Sequence, residues 1–410
     1  MMRNTYLFLI FLMFSAQLFA QNTDKASYKT YPSGFYFKQI LRDNLGDEAW
    51  AKRKYQHREV FKMEMQDRIF PTDLTKYTTV YHLQPVSQGN SGTCWAYSAI
   101  SFLESEVYRM TSQKIKLSEI YIAYWEYVER AEDFIKTKGE TFLGEGSESN
   151  AVLRIMKNHG LMPLSAYSGL KDQQNFNNHK ALFEQYETYL NFQKQQNSWN
   201  KTEIMDSIYK ILDYWIGTPP DNFNFEGKNY TPQTFMSEKL KLKPNNYFSF
   251  MSTKEIAYNQ KGELVENDNW WHCKDYYNIS LNDFMSLINT SIENGYSISI
   301  CGDVSEPGIC QIEEVAIIPD FDIPSAYINE DARQMRLISG ATTDDHCVHL
   351  VGYQIINGEY WYLIKDSGAG AFDGKNKGYR FFHEDYVKLK MMNILLNVEP
   401  ARSVLDKIIK

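Results

Sequence analysis

Apolar residues at Trp95, Ala99, Ile100, Phe102, Leu103 and Val107 recur at helical spacing and predict a helix within 93–109. Two further amphipathic helices are predicted over 117–128 and 151–156, the second ended at Gly160. The pattern then changes. Short apolar runs of strand type follow at 296–301, 348–356, 360–364, 378–382 and 392–398. Asn357-Gly358, between two of these runs, suits a two-residue type I′ hairpin turn. Helices first and strands last predict an α+β fold with two unlike halves. No internal repeat is visible.

The remaining stretches set the domain boundaries. Residues 1–20 carry one early charge at Arg3, an apolar run over 6–14 and a small-residue ending at Ala20. That is the pattern of a secretory signal cleaved after Ala20, and it is too short for a membrane span. The expected mature protein is therefore exported, periplasmic or extracellular, with no membrane span. Residues 21–80 form a mixed N-terminal segment broken by Pro32 and Pro71. A helical subdomain is expected over 81–170 and a β subdomain over 261–398. Between them, 171–260 is rich in Asn, Gln, Lys and Tyr, which suits an inserted, largely surface module. Residues 399–410 form a tail whose apolar spacing predicts a helix over 403–409.

Composition narrows the function classes. Hydrophobic residues make up 43% of 410 and charged residues 23%, which excludes disordered, collagen-like and coiled-coil chains. Acidic residues outnumber basic ones, 51 to 43, and a net charge of −8 argues against a nucleic-acid partner. Five cysteines are too few for a disulfide scaffold, although export leaves a Cys301–Cys310 bridge open. His272, Cys273, Cys301, Cys310, Cys347 and His349 show no paired zinc-type spacing. No phosphate or dinucleotide glycine motif occurs, so neither a metal nor a cofactor is expected. Trp270-Trp271 reads as packing.

The candidate chemistry centres on Gln88-Gly89-Asn90-Ser91-Gly92-Thr93-Cys94-Trp95. Two glycines lead into a cysteine at the expected start of a helix, where the helix end favours an anion such as a thiolate. A cysteine nucleophile needs an imidazole to take its proton and a third group to orient that imidazole. His346 opens a strand-like run, and the hairpin about Asn357-Gly358 brings Asp366 to the same open end of the ladder. His349 points to the other face of the strand, because its separation from His346 is odd.

The run 88–106 resembles the active-site segment of papain-like cysteine peptidases, and Asp345-His346-Cys347-Val348-His349-Leu350-Val351-Gly352-Tyr353 resembles their histidine segment. Within them the chain is similar to the bleomycin hydrolase and aminopeptidase C group. Ser91 replaces a half-cystine, as in that group. The segments 117–130 and 151–163, the Gly217-Thr218-Pro219-Pro220 run with Phe223, and Cys301-Gly302-Asp303-Val304 also match its pattern. Cys94 and His346 are 252 positions apart, against about 130–150 in the simpler enzymes. The excess fits an insertion at 171–260.

The resemblance implies a papain-like two-subdomain fold and a peptidase for peptide or protein substrates. Cys94 would be the nucleophile, His346 its base and acid, Asp366 the orienting group and Gln88 an oxyanion donor. Gly146-Ser147 would stand where the family has paired glycines lining the substrate cleft. A homo-oligomer is implied through the insertion, a hexamer in the resembling group. In that group the chain's own terminal carboxylate lies in the cleft and holds the substrate's free amino group. Here Lys407 and Lys410 flank that end and weaken its pull on an ammonium, leaving endopeptidase action as the rival. The clearest departure is Asp366-Ser367-Gly368-Ala369 in place of Asn-Ser-Trp-Gly. It leaves a binding-only relative as an alternative. Losing the Trp removes a shield and should leave the His346–Asp366 bond wetter.

Overall fold

The computed structural model describes residues 24–53, 57–65, 68–171 and 173–408. The expected signal segment lies outside them. Seven helices position the site and its neighbours: α1 (Cys94–Thr111), α2 (Glu119–Lys136), α3 (Ala151–His159), α4 (Lys180–Gln195), α5 (Lys201–Ile216), α6 (Leu281–Glu293) and α7 (Val398–Ile408). The Ser118 hydroxyl caps α2 by accepting from the Tyr121 N–H. Gly160, with φ of 77°, ends α3. Among the described residues no helix is long and apolar enough to cross a membrane.

Among the described residues eleven strands form the main sheet, and two separate two-stranded sheets lie outside it. The centre of the main sheet contains β1 (Tyr247–Met251), β2 (Ile298–Gly302), β3 (His346–Ile356), β4 (Glu359–Lys365), β5 (Tyr379–His383) and β6 (Met391–Asn397). These run spatially as β5-β4-β3-β2-β6-β1, each antiparallel to its neighbour. The β3–β4 hairpin turns at Asn357 and Gly358, which both have positive φ, 54° and 91°. That conformation is the reason for the Asn-Gly pair. A bulge between Leu350 and Gly352 follows from the close approach of the Thr78–Thr79 strand, where a Cβ on Gly352 would sit 2.7 Å from the Thr78 carbonyl oxygen.

The sheet separates two cores. One face carries α1 with α2–α5, together with Cys301, Cys347 and Leu395. The other carries α6 and α7 against Val348, Leu350, Ile394 and Leu396. Period-two alternation along β3 sends Cys347 and Val348 to opposite cores.

Two expectations differ from the structure, one a boundary and one a burial. The β half begins with β1 at Tyr247, inside the region assigned to the insertion, because Tyr247–Met251 pairs with β6. The insertion is also not a surface module. Its Leu182, Phe183, Tyr186 and Leu190 on α4, and Ile204, Ile208 and Leu212 on α5, are buried in the core that holds α1 and α2. Polar outward faces dominated the composition and hid these stripes. Within the N-terminal segment, Met63, Met65 and Tyr77 pack with Val315, Leu363 and Phe381, so this segment completes the β half.

Candidate active site

Cys94 is the first residue of α1 and is partly accessible. The four leading N–H groups of a helix lack internal acceptors and carry its positive dipole end, so the sulfur sits where an anion is favoured. The loop before it is held from two sides. Gly89 has φ of 71°, and a side chain there would strike the backbone of Asn177, while Asn90 and Asn177–His179 exchange backbone hydrogen bonds of 2.8 and 3.0 Å. The Gly92 N–H and the Trp95 indole donate to Glu145 at 2.6 and 3.3 Å. The start of the insertion thus braces the nucleophile loop.

His346 is the first residue of β3, and Asp366 follows the last residue of β4. The His346 Nε2 and Asp366 Oδ1 atoms are 2.7 Å apart, leaving the other ring nitrogen free, and Cys94 lies close enough to the same imidazole to act on its pKa. Burial alone would lower the pKa of His346. The charges and hydrogen bonds of Asp366 and Cys94 outweigh it and raise that pKa well above the ordinary imidazole value. Burial would push Asp366 up, but His346, Arg380 and the Gly368 N–H hold it well below the usual carboxylate range. The arrangement is therefore built for imidazolium and carboxylate together.

The expected wetness is corrected. Only 11% of the His346 side chain and 4% of Asp366 are exposed. The backbone of Gly368 closes over the pair: its N–H donates to Asp366 Oδ1 at 2.7 Å, and a Cβ there would lie 3.4 Å from His346 Nε2. A glycine backbone does the shielding, and the space left for a side chain is small.

Gln88 lies beside the cysteine loop. One amide N–H donates to the Ser91 carbonyl at 2.6 Å, and its Oε1 accepts from the Ser367 hydroxyl at 2.7 Å. The second amide N–H remains for an oxyanion. Gly146 packs against Asp268, while the Ser147 hydroxyl is turned inward to Glu126 at 2.7 Å. Ser147 therefore offers the cleft its backbone only.

Two contributors, Arg130 and Arg380, carried no readable signal, and other residues around the site take up structural roles. Buried Arg130 donates to the carbonyls of both Gly144 and Gly146 and so holds that loop. Arg380 donates from Nε to Asp366 Oδ2 at 2.7 Å. His349 faces α1, with its Nδ1 and the Ser101 hydroxyl 2.7 Å apart. The Trp270 indole donates to Glu126 at 2.6 Å, and the Arg154 guanidinium covers both tryptophans. The disulfide is Cys301–Cys347, joining directly opposed residues of β2 and β3, whereas Cys310 is a free thiol beside Glu313. The Cys301–Cys310 possibility is thereby overturned, since sequence separation says nothing about cross-strand register.

Comparison with known proteins gives the family and the fold. The Peptidase C1-like family matches residues 37–399. Aminopeptidase C of Lactobacillus delbrueckii subsp. lactis is 24% identical over 266 residues, 54% of this chain and 59% of that enzyme, so this match spans less than two thirds of the relative. Aminopeptidase C of Lactococcus lactis subsp. cremoris is 22% identical over 353 residues, covering 76% and 78%. Bleomycin hydrolase of Gallus gallus is 22% identical over 368 residues, covering 74% and 78%. The crystal structure of PepW from Lactobacillus rhamnosis HN001 superposes with a TM-score of 0.66 at 17% identity, covering 83% of this chain and 85% of that one. The fold is α+β and papain-like, and with 37–399 matched the chain belongs to the Peptidase C1-like family.

Proposed function

We propose that this protein is an exported cysteine peptidase that hydrolyses peptide bonds through an acyl-enzyme, acting from the free amino end of its substrate. The single observation that carries the reading is the Cys94–His346–Asp366 constellation at a helix N-terminus, with the imidazole held as a cation. The Cys94 thiolate attacks the scissile carbonyl carbon, and the oxygen takes the electron pair. The Cys94 backbone N–H and the free amide N–H of Gln88 stabilise that oxyanion. His346 gives its proton to the leaving nitrogen as the C–N bond breaks and a thioester remains. Water then attacks while His346 takes its proton, and cleavage of the S–C bond restores the thiolate.

Export is supported by the N-terminal pattern and by the Cys301–Cys347 bridge, which suits an oxidising compartment. The aminopeptidase relatives support amino-end action. One observation favours an endopeptidase instead. The tail through Ile408 is helix α7, packed on α6 with Lys407 Nζ 3.3 Å from Asp283, on the sheet face opposite α1. Residues 409–410 lie outside the described residues.

Cys94→Ala is expected to abolish both peptide hydrolysis and covalent labelling by the epoxide E-64. Undiminished hydrolysis in that variant overturns the assignment.

A further inference from the structure

A strap from the N-terminal segment crosses between the two halves of the molecule beside the reacting groups. On the sheet side, the Phe35 N–H donates to Asp373 Oδ1 at 2.6 Å, and the Tyr31 hydroxyl lies 3.4 Å from Asp373 Oδ2. The Phe35 ring stacks on Phe372 with centroids 4.9 Å apart. On the helical side, the same ring meets Phe176 edge-on at 5.6 Å, and the Tyr36 hydroxyl donates to Asn90 Oδ1 at 3.2 Å. Asp43 accepts from the N–H groups of Asn175 and Phe176 at 2.9 and 3.0 Å. Ile40 is wholly buried, so the strap over 31–43 is held at both ends and in between. Gly34 is required in it, because a Cβ there would fall 2.3 Å from Asp373 Oδ1.

Both anchor points adjoin the chemistry. Asn90 lies two residues after Gln88 and four before Cys94. Phe372 ends the short 3₁₀ turn Ala369–Phe372, which follows directly on Gly368, the residue that covers His346 and Asp366. At about 2 Å of rise per residue, Phe372 is rooted about 8 Å from Gly368. In the peptidase reading the acyl part of the substrate rests on the Gly146-Ser147 loop. The leaving nitrogen takes its proton from His346, so the leaving part runs out past Gly368 toward the strap. A peptide advances about 3.3–3.6 Å per residue, which brings its first two leaving residues to Phe35 and Phe372.

A cavity of about 430 Å³ opens there, between Pro32, Phe35 and Lys38 of the strap and Ile312, Phe372 and Lys377 of the sheet half. That volume is in the range of small-ligand sites. Two charged groups in its wall are committed within the protein: Asp373 to Phe35 and Tyr31, and the Lys377 ammonium to the Phe372 carbonyl at 2.7 Å. Lys38 is exposed. Ile312 lines the cavity while 55% exposed, an apolar surface that a substrate side chain would cover.

We propose that the strap builds the leaving-group subsite of this peptidase: the pocket between Phe35, Phe372 and Ile312 takes an apolar side chain from the first or second residue beyond the scissile bond. The inference rests on the peptidase reading and adds to it a substrate preference that the catalytic residues do not set.

Acyl transfer isolates this subsite from the acyl side. Alanine p-nitrophenyl ester acylates Cys94 with release of p-nitrophenol, and an added amine then competes with water for the thioester. The amine nitrogen forms the new C–N bond, the S–C bond breaks, His346 takes the proton and Cys94 returns as thiolate. Leucinamide is compared with glycinamide, and glycyl-leucinamide with glycyl-glycinamide. The leucine member of at least one pair is expected to capture the acyl group on the order of tenfold better, the scale of partly burying one leucine side chain. The pair that shows the preference identifies the residue that enters. Phe35→Ala and Ile312→Ser are each expected to lower that ratio several-fold, and exposed Ile312 keeps the test open if loss of Phe35 prevents folding. Equal capture within both pairs, or an unchanged ratio in both folded variants, overturns the proposal while Cys94-dependent ester turnover still upholds the peptidase reading. Ester turnover undiminished in Cys94→Ala overturns both.

Discussion

Arg380 donates from Nε to the Asp366 oxygen that His346 leaves free, so one carboxylate bridges two cationic groups, each 2.7 Å away. Asparagine at 366 would turn its NH2 group toward either the imidazolium or the guanidinium, because it has only one acceptor oxygen. The aspartate is thus matched to Arg380, which explains the departure at this position. Asp366→Asn is expected to lower kcat/KM on the order of 100-fold, in the range spanned by acid–base positioning. Arg380→Met alone leaves a buried carboxylate with one partner fewer and costs about 3–5 kcal/mol of stability. In the double variant the amide no longer meets the guanidinium, so kcat/KM is expected to recover part of the Asp366→Asn loss. Strict additivity in the double-mutant cycle would refute the matching.

The same contacts set a pH dependence. His346 has a folded-state pKa raised above its unfolded value, so its stabilising contribution is present in full below about pH 6.5 and is lost as pH rises through the folded value. Activity that needs imidazolium follows the same limb. Asp366 is depressed, so its contribution is present above about pH 4 and disappears as pH falls through its folded value. In Asp366→Ala the alkaline limb of kcat/KM is expected to move down by about one unit or more, the usual effect of removing a close opposite charge. An unmoved limb would mean that the carboxylate does not hold the proton on His346.

Non-reducing peptide mapping is expected to recover Cys301 linked to Cys347, with Cys94, Cys273 and Cys310 alkylated as free thiols. The two bridged residues are separated by 46 positions, and removing the crosslink by Cys347→Ser is expected to cost about 4 kcal/mol on a loop-entropy basis. A Cys301–Cys310 peptide would contradict the cross-strand register.

Arg130 is wholly buried and anchors the Gly144 and Gly146 carbonyls from α2. Arg130→Lys keeps the charge but loses the fork that spans both carbonyls. The expected outcome is a rise in KM of several-fold with kcat less affected, because the loop on the cleft side loses its position while Cys94 and His346 keep theirs. A fall in kcat with constant KM would assign Arg130 to the chemistry instead.

Local signals were enough for much of the architecture. The apolar spacing on α1, the glycine that ends α3 and the Asn-Gly turn between β3 and β4 each depend on residues close in sequence, where periodicity and backbone freedom are decisive. That hairpin also explains why His346 and Asp366 could be placed together from the chain alone. Contacts between distant segments were decided only by the tertiary structure. Cys301 pairs with Cys347 because β2 and β3 meet in register, Arg380 reaches Asp366 because β5 lies beside β4, and the stripes of α4 and α5 are buried because α2 offers a face to cover them. Charge at one position acquires its meaning from what folding leaves nearby, and that depends on packing across the whole chain.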